Sequence, residues 1–186
     1  MRWSPVPKRK VRTLLCIKND YIEYDANRKI TRRLFQLGRH YSIFGRKIIA
    51  ERDRWYTVSV LKQLLPTPTD YNECTEVARE ELDNGTRPEL GTSVENFDEY
   101  DVVFVGCPVW WHTAPMAIWS FLESSEYDFT DKIIVPFCTY SATYREETLA
   151  KIVELTPGSV HLQGYGTVGR NTEGVENWLR TINVIQ

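Results

Sequence analysis

The sequence predicts an α/β domain in which helices cover both faces of a doubly wound, parallel sheet. From Asp70 onward, apolar runs alternate with helical segments in the order helix, strand, helix, strand, helix, strand, helix. Parallel strands that are joined by helices need right-handed crossovers, which place the helices over both faces. The chain has 186 residues, 42% of them hydrophobic, which is the size of one well-packed domain.

Three strands are predicted from short, continuous apolar runs, which are typical of strands buried on both faces. These runs are VVFVGC at 102–107, KIIVPFC at 132–138 and, with its loop, SVHLQGYGTVG at 159–169. VRTLLCI at 11–17 and WYTVSVLKQLL at 55–65 are candidates for the first and second strands. The chain therefore contains enough strand candidates for a sheet of five strands.

The helices are predicted from amphipathic or apolar segments with recognisable ends. The segments are YNECTEVAREELDNG at 71–85, APMAIWSFLES at 114–124, REETLAKIVELTPG at 145–158 and TEGVENWLRTINV at 172–184. Asn84-Gly85 and Pro157-Gly158 are stop signals, and Thr172 is a candidate N-cap. Each predicted helix therefore follows or precedes a predicted strand closely.

The composition argues against several other classes of protein. No apolar run approaches the roughly 20 residues that a membrane span needs, so we expect no membrane association. The four cysteines form no C-x-x-C pair, and none of the three histidines lies near a cysteine at zinc-ligand spacing. The sequence therefore predicts no metal site. The cysteines are interpreted as reduced thiols of a cytoplasmic protein.

Two segments leave strands at the sheet edge where doubly wound folds bind ligands. CPVWWHTAP at 107–115 offers the aromatic faces and indole N–H groups of Trp110 and Trp111. CTYSATY at 138–144 offers hydroxyls and backbone groups ahead of a helix. Together they predict a planar, heteroaromatic ligand that is held by stacking and by hydrogen bonds around its rim. The alternative is that the two tryptophans only cover the end of the sheet.

Two segments carry a family resemblance, YNECTEVAREEL and VENFDEYDVVFVGCPVWWHTAPMAIWSFLESSEYDFTDKIIVPFCTY. They resemble the flavodoxin-like family, in particular its short FMN-binding members. The resemblance covers roughly residues 66–184 and implies a sheet of strand order 2-1-3-4-5. It implies that one loop packs on the isoalloxazine ring and that a second contacts the pyrimidine edge. The residues of the first loop are Pro108, Val109, Trp110, Trp111, His112, Thr113 and Ala114, and those of the second are Thr139, Tyr140, Ser141 and Ala142.

The chain departs from the family pattern within both loops. His112 stands where the family usually has a small residue, and it could donate to a flavin carbonyl or be a solvent-edge imidazole. Tyr140-Ser141-Ala142 replaces a glycine-rich turn that lets the backbone approach the ring. Cys107 and Cys138 end neighbouring strands at this edge, either as redox-active thiols or, more commonly at such positions, as buried small residues.

The resemblance implies a role in electron transfer or NAD(P)H- and quinone-type oxidoreduction, as in an FMN-dependent oxidoreductase. The protein would position the flavin and tune its potential, with no catalytic acid or base of its own. Its partners would be the flavin and either a redox protein or a small quinone-like acceptor. Residues 65–186 carry 7 Lys and Arg against 20 Asp and Glu, a surface that would steer a basic redox partner.

The N-terminal third lacks the Ser/Thr/Gly-rich turn that holds the FMN phosphate in this family. It is also basic, because residues 1–64 carry 16 Lys and Arg against 5 Asp and Glu. We therefore predict a disordered basic leader at 1–25 and a single flavodoxin-like domain at 26–186, with an irregular or missing first βα unit. Tight FMN binding is in doubt without the turn, which leaves a non-catalytic remnant as the alternative.

The genetic code suggests one origin for the missing turn. When residues 25–47 are back-translated and read one base later, degenerate codons permit a strand followed by Ser-Trp-Gly-Gly-Thr-Thr and a helix. The hypothesis is that residues 26–60 are an out-of-frame reading, with the frame restored by about Pro66. Two alternatives are a disordered or loosely docked basic arm, which ranks second and could bind nucleic acid, and an organelle transit peptide, which ranks third. Sequencing the encoding nucleotides decides between them.

Overall fold

The computed structural model describes residues 12–18, 55–61, 63–65, 68, 70–169, 171 and 173–184. The strands are β1 Arg12–Lys18, β2 Trp55–Leu61, β3 Val102–Pro108, β4 Ile133–Tyr140, β5 Val160–His161 and β6 Tyr165–Val168. The helices are α1 Tyr71–Asp83, α2 Met116–Leu122, α3 Arg145–Glu154 and α4 Val175–Thr181, with a short 3₁₀ turn at Phe97–Glu99. Within these residues, no helix has the length and apolar character that would carry it across a membrane.

The sheet is parallel throughout, in the order β2-β1-β3-β4-β5, with β6 also paired to β4. This confirms the predicted fold class and strand order. The strand between β2 and β3 comes from the VRTLLCI run, since Leu15 lies opposite Val58 on one side and Phe104 on the other. A continuous apolar run suits this position because it has neighbours on both edges.

Part of the predicted basic leader belongs to the sheet. Arg12–Lys18 falls within the range 1–25, and its backbone pairs with β2 along its whole length and with β3 over most of it. Such pairing satisfies the backbone N–H and carbonyl groups that a disordered segment would leave to water. The rest of the leader, the missing phosphate turn and most of the segment in the reading-frame hypothesis lie outside the described residues. Those predictions remain predictions.

The predicted strand at 159–169 is divided into β5 and β6, which pair with successive parts of β4. The Ile133 N–H donates to the Asp101 carbonyl ahead of β3, whereas the Ile134 carbonyl accepts from Leu162 beside β5. Backbone groups alternate between the two sides along a strand, so position 136 also faces β5 and β6. Pro136 has no N–H to donate there, and the ladder is interrupted at this point.

The helix ends follow local capping chemistry. The Asp70 carboxylate accepts hydrogen bonds from the backbone N–H groups of Asn72 (2.9 Å) and Glu73 (3.1 Å), which starts α1. Helix α1 stops at the predicted signal, where Gly85 has a φ of 61°. The predicted N-cap of α4 was wrong: the cap is Gly174, with a φ of 84°, and Thr172 lies outside the described residues. A glycine adopts this left-handed conformation at little cost.

The core has one cluster on each face of the sheet. Val103 and Val105 of β3 point to the face covered by α2 and α3, where Ile118 and Ile152 are buried. The intervening residue Phe104 points to the other face, which α4 covers with other buried side chains. The two clusters confirm that helices pack on both sides of the sheet. The packed strands thus form a rigid support for the loops at their carboxyl ends.

Candidate functional site

The carboxyl ends of β3 and β4 place the two predicted loops side by side. Cys107 lies opposite Cys138 and Pro108 opposite Thr139 in the parallel register. The pairing continues beyond β3, because the Val109 N–H donates to the Thr139 carbonyl over 2.8 Å. Both loops therefore start from one rigid edge, the edge at which doubly wound folds bind ligands.

The loop after β3 makes a tight two-residue turn around Trp111 and His112. The Trp110 N–H donates to the Thr113 carbonyl (2.9 Å), and the Thr113 N–H donates to the Trp110 carbonyl (3.0 Å). Trp111 and His112 have φ values of 44° and 73°, so both lie in the left-handed region. This conformation costs non-glycine residues roughly 1–2 kcal/mol each, and glycine or asparagine is usual in such turns. Other contacts must offset that cost.

Trp111 is fastened to helix α1. Its indole N–H donates to the Thr75 carbonyl over 2.8 Å, and the Arg79 guanidinium lies 5.2 Å from the centre of the indole ring. Trp111 is 39% exposed, so part of the residue still faces solvent. These contacts fix Trp111, the first of the two central residues of the strained turn, and orient its indole along α1.

Trp110 is half-buried and lines a small cleft between the same loop and α1. Thr113 contributes a hydroxyl to this region that is buried and has no hydrogen-bond partner among the residues that the structure describes. A buried hydroxyl without a partner is costly, so a polar atom of a ligand or water would be stabilised beside it. The cleft thus combines an aromatic face with one free polar group.

The loop after β4 lies beside the loop after β3 at the same edge of the sheet. Thr139 and Tyr140 are half-buried at the end of the strand, whereas Ser141 and Ala142 are exposed. The Tyr140 carbonyl accepts the Gly169 N–H over 3.0 Å, which ties this loop to the end of β6. Four of the predicted site residues therefore line one ordered rim.

A ring stack joins the two loops at their outer ends. The His112 imidazole lies on the Tyr144 ring, with centroids 3.8 Å apart and an interplanar angle of 27°. Tyr144 is the N-cap of α3 and has a left-handed φ of 66°, with no hydrogen bond from its side chain to the helix end. The stack fixes His112, the second central residue of the turn, and it occupies the gap between the loops after β3 and β4.

The two cysteines beneath the loops are buried thiols. Cys107 and Cys138 are at most 1% exposed and are both unbridged. Burial raises the pKa of Cys107 well above its usual value, and Cys138 raises it further. Burial raises the pKa of Cys138 to about 12, although Arg145 opposes the shift. Both are therefore protonated at neutral pH, the form in which a thiol is a poor nucleophile.

The structure brings all eleven predicted site residues to one edge of the sheet. It also adds residues that the sequence analysis missed, namely Thr75, Arg79 and Tyr144. Tyr144 ends the quoted CTYSATY segment, so its position was a usable signal. The contribution of α1 was not visible, because 36 residues separate Thr75 from Trp111. Among the described residues, no group of histidine, cysteine, aspartate and glutamate could hold a metal ion.

The comparisons with known proteins agree with this geometry. The Flavodoxin_4 family model, described as flavodoxin, matches residues 67–182, which is more than half of the chain. The chain belongs to this flavodoxin family. The match begins after β2, so membership rests on α1 and everything that follows it. No curated protein matches the sequence.

Solved structures show the same fold at low sequence identity. A Bacteroides eggerthii DSM 20697 protein has a TM-score of 0.69 at 19% identity, and the match covers 94% of this chain and 99% of that one. A flavoprotein from Lactobacillus acidophilus NCFM, crystallised in complex with FMN, has a TM-score of 0.64 at 16% identity, with coverage of 90% and 98%. A Bacteroides uniformis ATCC 8492 protein has a TM-score of 0.66 at 21% identity, with coverage of 92% and 99%.

Proposed function

We propose that this chain binds the isoalloxazine ring of FMN and acts in electron transfer or in NAD(P)H- and quinone-type oxidoreduction. The observation that carries the proposal is the pair of loops fixed side by side at the carboxyl edge of β3 and β4. A flavoprotein of the same fold was crystallised with FMN, which supports a flavin as the ligand.

The side chains of the two loops are of the kinds that suit a planar ring with polar edges. Trp110 offers an aromatic face, the unpartnered Thr113 hydroxyl offers a hydrogen bond, and Thr139 to Ala142 offer the rim. Bound flavin would supply the redox chemistry, and the protein would supply orientation and exclusion of water. Cys107 and Cys138 are not proposed to take part in the redox chemistry, because both are buried and protonated at neutral pH.

The sequence also favours a second candidate, a non-catalytic remnant with weak or no FMN binding. No Ser/Thr/Gly-rich turn follows β1, since the next residues read NDYIEYDANRKI. Charge-assisted hydrogen bonds to a phosphate are worth about 1.5–3 kcal/mol each, or roughly 10- to 150-fold in affinity. A chain that lacks them would hold FMN no better than riboflavin, which has the same ring but no phosphate.

The test is a parallel titration of FMN and riboflavin into the full chain, followed by quenching of flavin fluorescence. Saturable quenching that is lost in Trp110→Leu and kept in Trp178→Phe would support the ring site. Trp178 is a matched control because it lies in the core on the opposite sheet face. FMN binding at least tenfold tighter than riboflavin would indicate a phosphate site; equal affinities would support the remnant. No saturation with either flavin would overturn the proposal.

Charge and thiol chemistry support a proposed partner and a proposed location. The acidic balance of residues 65–186 suits a basic redox protein, and a small quinone-like acceptor is the alternative. Steering by charge would make electron transfer to a basic partner fall steeply as salt rises. A cytoplasmic location is supported by the unbridged cysteines Cys74, Cys107 and Cys138. Nucleic-acid binding by a basic arm would require residues outside the described part of the chain.

A further inference from the structure

We propose that His112 and Tyr144 form a clasp that closes the gap between the two loops and must separate when a planar ligand enters. This inference rests on the proposed flavin site and concerns how ligand access to it is controlled. The centroid distance of 3.8 Å between the two rings leaves no space for a third ring between them. A ring that lies between the loops must therefore displace one of the two.

The backbone shows that the clasp is held against local strain. Trp111, His112 and Tyr144 all have left-handed φ values, of 44°, 73° and 66°, and none is a glycine or an asparagine. Strained residues of this kind persist only where surrounding contacts fix them, and they cluster at ligand clamps and switch regions. Besides the two hydrogen bonds between Trp110 and Thr113, side-chain contacts fix the turn here, namely the α1 anchor of Trp111 and the stack of His112 on Tyr144.

The two anchors differ in how easily they can be released. Trp111 is held by a hydrogen bond to Thr75 and by the Arg79 guanidinium. His112 is exposed, Tyr144 is 38% exposed, and the stack is the ring contact that joins them. Breaking the stack of His112 on Tyr144 therefore frees the His112 side of the turn, while the contacts of Trp111 keep the other side on α1. The turn then moves as a hinge about the fixed residue Trp111.

We expect the closed clasp to lower the apparent affinity of the site for its ligand. A closed state that excludes the ligand lowers the apparent affinity by the fraction of molecules that are open. A single aromatic pair contributes little, so we expect its removal to raise the association rate and the apparent affinity about 2- to 10-fold. A ligand ring that then stacks on the freed Tyr144 face would replace the lost contact.

Asparagine is the matched substitution at both positions because it tolerates left-handed backbone while removing the ring. The experiment compares the full-length chain with His112→Asn, Tyr144→Asn, the conservative Tyr144→Phe and the distant surface variant Val160→Ala. Stopped-flow mixing with FMN gives the association rates. Faster association in both asparagine variants than in Tyr144→Phe, which keeps the ring, with Val160→Ala unchanged from the parent chain, supports the clasp. Equal or slower association in the asparagine variants overturns it.

A second readout needs no flavin and separates this inference from the proposed function. Hydrogen exchange at the Trp110 and Thr113 amides reports on opening of the turn, because each amide donates across it. We expect faster exchange in His112→Asn and Tyr144→Asn and unchanged exchange in Tyr144→Phe. Unchanged exchange in the asparagine variants would overturn the clasp. If no variant bound FMN while exchange still accelerated, the proposed function would fail and the clasp would stand.

Discussion

The indole N–H of Trp111 donates a hydrogen bond of 2.8 Å to the carbonyl oxygen of Thr75, which fastens the loop after β3 to helix α1. The two bonded residues are 36 positions apart in the sequence. The bond orients a tryptophan that the sequence alone would assign to ligand stacking. Trp110 and Trp111, although adjacent, therefore have different surroundings. Trp110 lines the cleft, and Trp111 anchors the turn.

Replacing Trp111 with phenylalanine should loosen the turn without removing an aromatic ring. The lost hydrogen bond is partly exposed to solvent, so we expect the free energy of unfolding to fall by about 0.5–1.5 kcal/mol. Urea denaturation measures this change, and hydrogen exchange at the Thr113 amide locates it. Asp83→Asn is the control, since it removes only an exposed ion pair of Arg79. An equal loss in both variants would contradict the assigned role of the indole N–H.

Replacing Thr113 with valine should leave stability unchanged or raise it by up to about 1 kcal/mol, because the buried hydroxyl has no partner among the described residues. The matched control is Thr148→Val, which removes a buried hydroxyl that donates to the Tyr144 carbonyl over 2.8 Å. We expect the control to lose about 1 kcal/mol. If the Thr113 hydroxyl bonds a flavin, FMN affinity should fall only in Thr113→Val. Comparable destabilisation of the two variants would show that Thr113 has a protein partner.

Gly106→Ala should destabilise the sheet by about 1–3 kcal/mol through overpacking. A Cβ at this position would lie 2.0 Å from the Phe137 ring, which is itself buried in the core. Gly85→Ala is the comparison, because open space surrounds Gly85 and only its φ of 61° opposes the change. Thermal unfolding measures both variants. A smaller side chain in the double variant Gly106→Ala/Phe137→Leu should recover part of the loss, and the absence of any recovery would count against the steric explanation.

The buried thiols predict a fall in stability at alkaline pH. Burial raises the pKa of Cys138 to about 12 and that of Cys107 well above its usual value, whereas unfolded thiols ionise near 8.5. The unfolded chain therefore binds fewer protons than the folded chain above that pH, and the free energy of unfolding falls as pH rises. Each thiol contributes a slope of up to about 1.4 kcal/mol per pH unit.

This pH dependence can be measured by urea denaturation between about pH 8 and 9, where unfolded thiols ionise while tyrosines, with a pKa near 10, stay largely protonated. Cys138→Ala should reduce the slope relative to the parent chain. The same burial predicts that a disulfide reagent modifies Cys107 and Cys138 only after unfolding. Rapid modification of either thiol in the folded chain would show that the sheet edge is open to solvent and that the predicted slope is wrong.

The alternation of apolar runs with helical segments was sufficient to predict the fold class, whereas the strand order was implied by the resemblance to the flavodoxin-like family. Continuous apolar runs become buried strands, and parallel pairing follows from the intervening helices, so little tertiary information is needed. The same logic offered VRTLLCI only as a candidate strand, inside the predicted disordered leader, and the structure places it at the centre of the sheet. That logic did not find the division between β5 and β6, because the cause is the missing N–H of Pro136, and its effect depends on which side of β4 that position faces.

The sequence by itself determined which segments reach the edge at which doubly wound folds bind ligands, since each loop simply follows a buried strand. Only the tertiary structure decided what the side chains in those loops contact. Trp111 rests on α1 and His112 stacks on Tyr144, although the sequence offers both as ligand contacts. Strand burial is encoded locally by hydrophobicity. Side-chain direction in a tight turn depends instead on left-handed backbone angles and on partners that are distant in the chain, and no local pattern specifies either of them.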